Sequence, residues 1–221
     1  MAEHTMSMGW SAKCSCGWQA ALHDVAEVDA FAASVTAHVM TPPAVEVEPR
    51  RVPGLGVFRG SGMPDQVVQY ETWLGKPVEY VVDFVGRPNR ASPAPWEKID
   101  NPAWWCTQWA SRPWQLVLST AMLPNANFSL AAGARGDYDA HWQSFGTTLV
   151  ARDCADAVLR LGWEFNAKYY PWIAGGQEST FAAYWRRMVA VLRAVPGADF
   201  RFDWPPLAGV NNANVEAAYP G

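Results

Sequence analysis

Apolar and polar positions follow two different rhythms along the chain, and the change falls near residue 55. In residues 1–40, Trp10 to Trp18 reads as a short, Cys-bearing β-type segment. Asp24 then stands as the N-cap of a helix running to about Val39, with Val25, Val28, Phe31, Ala32 and Val35 as its apolar stripe. The stretch 41–54, from Thr41-Pro42-Pro43 to Pro53-Gly54, is charged and interrupted by Pro, which suits a spacer better than a regular element.

From Leu55 onward, short apolar runs alternate with amphipathic ones. The runs predict strands over 55–60, 78–85, 115–121, 157–163 and 199–204. Between them the pattern predicts helices over 64–74, 138–152 and 178–194, and a Trp-rich helical region over 96–110. Near-continuous apolar strands separated by amphipathic helices mean a parallel sheet with helices packed outside it. A doubly wound sheet and a (β/α)8 barrel share that alternation. After the first strand, Arg59-Gly60-Ser61-Gly62 is too short for a phosphate-binding glycine fingerprint, which tilts the reading to the barrel. A closed barrel takes roughly 250 residues, and residues 55–221 hold about five βα units. The expectation is therefore an incomplete TIM barrel lacking its last strands, preceded by a small Cys/His module (1–40) and a linker (41–54).

Composition narrows the chemistry. Half the residues are hydrophobic (50%), only 17% are charged, and the net charge is −4. A nucleic-acid partner would call for a basic stripe, which is missing, and disorder would call for more charge and less apolar content. No apolar run is long enough to span a membrane, and Met1–Trp10 is polar with no signal-peptide core after it. The chain carries 13 Trp, residues whose broad faces serve both cores and sugar-stacking clefts.

One block concentrates the candidate chemistry: Arg160-Leu161-Gly162-Trp163-Glu164-Phe165-Asn166-Ala167-Lys168-Tyr169-Tyr170-Pro171-Trp172. An apolar strand runs into a carboxylate, an amide and an aromatic cluster. Barrel enzymes hold their catalytic groups at the C-terminal ends of strands, where Glu164 falls. Trp163 and Phe165 on either side are expected to withdraw water from Glu164, an environment that favours the protonated form a general acid needs. Asn166 is a candidate for orienting the carboxylate or binding a sugar hydroxyl, and Trp163, Tyr169, Tyr170 and Trp172 offer stacking faces. The bland alternative is an ion pair between Glu164 and Arg160 or Lys168. Asp83 and Trp204, at the ends of two other predicted strands, complete the substrate-binding candidates.

Gly162-Trp163-Glu164-Phe165-Asn166, followed by Tyr170-Pro171-Trp172, resembles the acid/base motif of glycoside hydrolase family 26, the β-mannanase family. There the segment closing the fourth strand reads roughly Arg-x-x-His-Glu-Met-Asn-Gly, then Trp-Tyr-Pro-Trp. Weaker likenesses are Gly136-Asp137-Tyr138-Asp139 with Trp142, Phe200-Arg201-Phe202-Asp203-Trp204-Pro205-Pro206, and Ala218-Tyr219-Pro220-Gly221. The resemblance implies a retaining endo-glycosidase acting on a β-linked polysaccharide such as mannan, with Glu164 as acid/base and no catalytic cofactor. Trp163 replaces the family's His, which leaves the sugar open. The family's nucleophile is a second Glu at the end of the seventh strand, expected beyond Gly221. The alternative is a non-catalytic carbohydrate-binding or scaffold protein that keeps the aromatic cleft.

Four further residues, Cys14, Cys16, His23 and His38, have the ligand types of a structural zinc site, although Cys-x-Cys is not the usual knuckle spacing. A metal would supply stability that about 40 residues hardly find in a core alone. Cys106 and Cys154 read as buried free thiols, and His141 as a packed or surface histidine.

Overall fold

The computed structural model describes residues 6–8, 11–14, 19–21, 54–85 and 94–221. The chain forms two compact units, Met1–Pro53 and Gly54–Gly221. In the first, strands β1 (Met6–Met8), β2 (Ser11–Cys14) and β3 (Gln19–Ala21) make an antiparallel sheet in that order. The helix expected over 24–39 and the spacer up to residue 53 lie outside the described residues.

The second unit is α/β. Its strands β4 (Gly56–Val57), β5 (Tyr80–Phe84), β6 (Gln115–Thr120), β7 (Val158–Leu161) and β8 (Arg201–Asp203) are all parallel and lie side by side in sequence order. The order never reverses, so the sheet has no switch point of the doubly wound kind. Each crossover steps the same way, and right-handed crossovers then put every helix on one face.

The register shows which face that is. Asp83, Leu118, Leu159 and Phe202 stand in one row across β5–β8. The row meets the helices: Trp109 donates to Asp83, and Trp185 and Arg193 pack on Phe202. The next row, Phe84, Ser119, Arg160 and Asp203, points to the opposite face. There Phe84, Arg160 and Asp203 are only half-buried.

The helices start and stop where local chemistry dictates. Helix α1 (Pro64–Leu74) begins on a Pro, whose missing N–H costs nothing there, and ends at Gly75 in the left-handed conformation. The Trp-rich region is two helices, α2 (Glu97–Asp100) and α3 (Ala103–Trp109). Pro102 separates them, since a ring at that position blocks the helical hydrogen bond and crowds the preceding turn. Helix α4 (Leu130–Arg135), which the hydrophobic pattern did not predict, is capped by Ser129 accepting from the Ala132 N–H and is closed by Gly136. Helices α5 (Asp139–Ala151) and α6 (Glu178–Arg193) match their predicted spans closely.

Tyr184 of α6 pins the helix layer to the loop that follows β6. Its hydroxyl donates to the Met122 carbonyl at 2.9 Å and accepts from Trp142 Nε1 at 2.9 Å, and burial pushes its phenol well above the ordinary range. His141 is a packed histidine, stacked on Trp96 at 4.3 Å and bonded to Asp100. No described helix is long and apolar enough to cross a membrane.

Cys106 and Cys154 are both free and buried, as expected. Contact with Cys106, then burial, pushes the Cys154 thiol far up, and the reactive species is the thiolate. Peptide mapping after iodoacetamide treatment of the native chain should find both side chains unlabelled, and labelling only after unfolding. Rapid native labelling of either would mean that α3 opens locally.

Candidate functional site

The residues after β7 make the most unusual backbone in the second unit. The ladder closes with the Gly162 N–H donating to the Thr120 carbonyl at 3.0 Å. Gly162 then takes φ 65°, and a Cβ there would meet Met122 Sδ at 2.4 Å and Trp172 Cδ1 at 3.2 Å, so glycine is required by both strain and space. This kink ends the strand at Leu161 rather than at 163, and lifts the next residues over the sheet end.

Two positions on, Glu164 is itself left-handed, with φ 54°. Among the described residues only Asp153 is another non-glycine with positive φ. Asp tolerates that region through its short polar side chain, whereas Glu has no such local compensation. The Glu164 backbone is held by its own neighbours. Its N–H donates to the Pro205 carbonyl at 3.1 Å, and its carbonyl accepts from the Ala167 N–H at 2.9 Å. The side chain is half-buried, and the Tyr170 hydroxyl donates to Oε2 at 3.2 Å.

The ion-pair alternative finds no support. Arg160 is committed to Asp203, with Nε 2.7 Å from Oδ2, in the row of the open sheet face. Lys168 is exposed, and no described ion pair includes Glu164.

Around Glu164 the aromatic rings interlock. Trp163 packs edge-on against Phe84 (5.4 Å), Tyr170 (5.6 Å) and Trp172 (4.9 Å). Tyr170 stacks on Trp172 at 4.7 Å, and Tyr169 meets the edge of Tyr170. Tyr169 is 68% exposed, and Trp163 and Tyr170 are half-buried, so these three keep surface toward solvent. Trp204 is half-buried, stacked on Phe165 at 4.9 Å and edge-on to Tyr219.

Three of the expected substrate contacts are structural instead. Trp172 is fully buried and its Nε1 donates to the Trp163 carbonyl, so it braces the turn. Asn166 is buried and saturated. Its Oδ1 accepts from the Leu207 N–H at 2.7 Å, and its Nδ2 donates to the carbonyls of Leu207 (2.9 Å) and Val210 (2.8 Å). It thereby clamps the loop after β8 to the loop after β7. Asp83 faces the helices, with no exposed surface. Its Oδ1 accepts from Ser61 Oγ and the Phe84 N–H, both at 2.6 Å, and its Oδ2 from the Gly62 N–H (2.9 Å) and Trp109 Nε1 (2.8 Å).

Asn214 belongs to the same scaffolding. Its N–H donates to Glu178 Oε1 and its Oδ1 accepts from the Ala217 N–H. The Glu178 carboxyl is held below the usual range by its own backbone N–H, then by those of Asn214 and Gly176. The sequence reading missed three residues of the open face: the Arg160–Asp203 pair, and Ser119, whose buried Oγ has no partner among the described residues. A period-2 count outward from the apolar residues of each strand would have put them together.

Among the described residues no group of three or more His, Cys, Asp or Glu is arranged to hold a metal ion. The zinc expectation falls outside them: Cys16, His23 and His38 are not described, nor is the side chain of Cys14. No protein-family model matches this chain, and no curated protein is significantly similar to it.

Proposed function

We propose that the second unit is part of a (β/α)8 barrel and that Glu164 is the acid/base carboxylate of a retaining glycosidase. The substrate class is a β-linked polysaccharide such as mannan. The observation that carries the reading is the backbone of Glu164: a non-glycine residue kept left-handed, just past a strand end, with a carboxylate free of basic partners among the described residues. Strain of this kind persists where the surrounding structure imposes it, and it clusters at functional sites. The consecutive strand order and the one-sided helix layer support the barrel.

In the reaction, protonated Glu164 donates to the glycosidic oxygen, and the carboxylate then takes a proton from the water that releases the sugar. The Tyr170 hydroxyl, at 3.2 Å, fixes the carboxylate orientation. Trp163 and Tyr169 supply pyranose-stacking faces beside it. The mechanism requires a nucleophilic carboxylate about 5–5.5 Å from Glu164, and the family resemblance assigns it to a strand beyond Gly221. Hydrolysis of β-mannan, xylan and β-glucan is therefore assayed on the 221-residue chain and on the reading frame extended past that residue, with product anomers followed by NMR. Retained configuration, lost in Glu164→Gln, is the expected result. Inverted configuration, or turnover unchanged by the substitution, rejects it.

A non-catalytic carbohydrate-binding role is the second reading, favoured by Trp163 standing where the family carries His. Glycan binding with no hydrolysis in either form of the protein decides for it.

A further inference from the structure

Helix α1 carries a feature that the Glu164 site does not use. Its buried stripe is Pro64 and Val67, with Glu71 and Leu74 half-buried one turn on. Successive residues turn by about 100°, so Gln66, Gln69, Tyr70 and Trp73 share an adjoining arc of the helix. Trp73 is 78% exposed, the most exposed of the large hydrophobic side chains described. Tyr70 lies beside it, ring centroids 5.6 Å apart and planes tilted by 35°. The Arg59 guanidinium sits over the Tyr70 ring at 5.5 Å from its centroid. Arg59, Gln69, Tyr70 and Trp73 together line a concavity of about 410 Å³.

The position separates this surface from the cleft. Trp73 is one residue from the end of α1, just before the connection into the start of β5, whereas Glu164 stands past the end of β7. Trp73 thus lies toward the end of the parallel strands opposite Glu164, and Arg59, just past β4, reaches back onto the Tyr70 ring.

We propose that Trp73 and Tyr70 form a second glycan-binding platform, which holds a polysaccharide chain on the outer flank of α1 away from the cleavage site. A pyranose ring offers a flat C–H face and an edge of hydroxyls. The exposed Trp73 indole matches the face, and half-buried Tyr70, covered by Arg59, flanks it. The Gln69 amide and the Arg59 guanidinium, at the rim, match the edge as donors and, for the amide, as acceptor. A protein-docking core would surround the rings with further apolar side chains, yet the neighbouring positions of this helix arc are Gln66 and Gln69. The choice of a glycan as ligand rests on the glycosidase reading of Glu164, while the platform is built from other residues.

The test uses native affinity gels containing β-mannan, xylan or β-glucan, run with the full chain as Glu164→Gln so that no hydrolysis intervenes. At least one glycan should retard it. Adding Trp73→Ala should weaken that binding roughly five- to tenfold, the loss of one stacking ring, with thermal unfolding unchanged because the side chain is exposed. Gln69→Ala should weaken it about two- to threefold. Retardation indifferent to Trp73→Ala overturns the proposal, and so does the absence of retardation by any of the three glycans. Concentration-dependent self-association that disappears in Trp73→Ala, without an effect on glycan binding, reassigns the surface to protein contact. The two readings fail separately. Trp73-dependent binding with no hydrolysis in any form removes catalysis and keeps the platform. Glu164-dependent hydrolysis with Trp73-independent binding does the reverse.

Discussion

Replacing Glu164 should abolish turnover while leaving the protein as stable as before, or more so. In a form of the protein that hydrolyses β-linked glycan, Glu164→Gln should lower kcat on polysaccharide by about 10²–10⁴-fold, the usual contribution of a positioned general acid/base. The loss should shrink on an aryl glycoside whose leaving group needs no proton. Added azide should restore part of the second step, because an anionic nucleophile needs no general base. Stability should move the other way. Holding Glu left-handed costs on the order of 1–2 kcal/mol, and Asn occupies that region more readily. After allowance for the lost Tyr170 contact at 3.2 Å, Glu164→Asn should gain roughly 0.5–1 kcal/mol. That corresponds to a Tm rise of about 1–4 °C for a chain of this size. A substitution that stabilises the fold and removes the activity marks a residue kept for function. Destabilisation by more than about 1 kcal/mol, with turnover intact, would mark Glu164 as a structural turn residue and end the assignment.

The sequence made the second unit legible wherever burial is two-sided or a helix has one apolar stripe. Strand β6, buried from Leu116 to Thr120, reads as a continuous apolar run because it is central in the sheet. Helix α6 shows its stripe plainly, and α1 announces both ends through Pro64 and Gly75. The errors have local causes. Strand β4 was expected over 55–60, yet only Gly56 and Val57 pair with β5, and Gly60 and Gly62, both at positive φ, turn the chain toward α1. Helix α4 was missed although Ser129 and Gly136 are cap signals, since its six residues are too few to show a period.

The candidate site was legible in position and not in roles. An apolar run leading into Glu164 located the strand end, a local inference. Asn166 and Trp172 have the same residue types as substrate contacts, and nothing nearby in sequence tells them apart. The partners that saturate Asn166, Leu207 and Val210, lie more than forty residues downstream. Tyr170 and Trp163 cover Trp172, and the missing side chain of Gly162 leaves the space that Met122 and Trp172 each occupy beside it. Burial decided the roles, and burial is a property of the packed chain.

Asp83 is where the cost of that ambiguity is largest. Asp83→Ala should destabilise the second unit by about 3–5 kcal/mol, lowering Tm by roughly 10 °C or more. The carboxylate gathers four donors: Ser61 Oγ, the N–H groups of Gly62 and Phe84, and Trp109 Nε1. Hydrogen bonds to a charged acceptor contribute about 1.5–3 kcal/mol each, and an orphaned buried donor keeps its full desolvation penalty. The Trp109 indole is 2% exposed, so water does not replace its partner. The Ser61 and Gly62 donors belong to the turn between β4 and α1, so losing them frees the sheet's first crossover as well. Asp83→Asn should cost less than Ala but remain destabilising, since its amide sets two donors against N–H and O–H groups that already donate. Thermal unfolding and glycan affinity together test the buried role of this residue. A sugar-binding Asp83 would leave Tm unchanged when replaced and weaken binding instead. A buried strut loses Tm first, and binding by the surviving folded fraction stays near that of the parent.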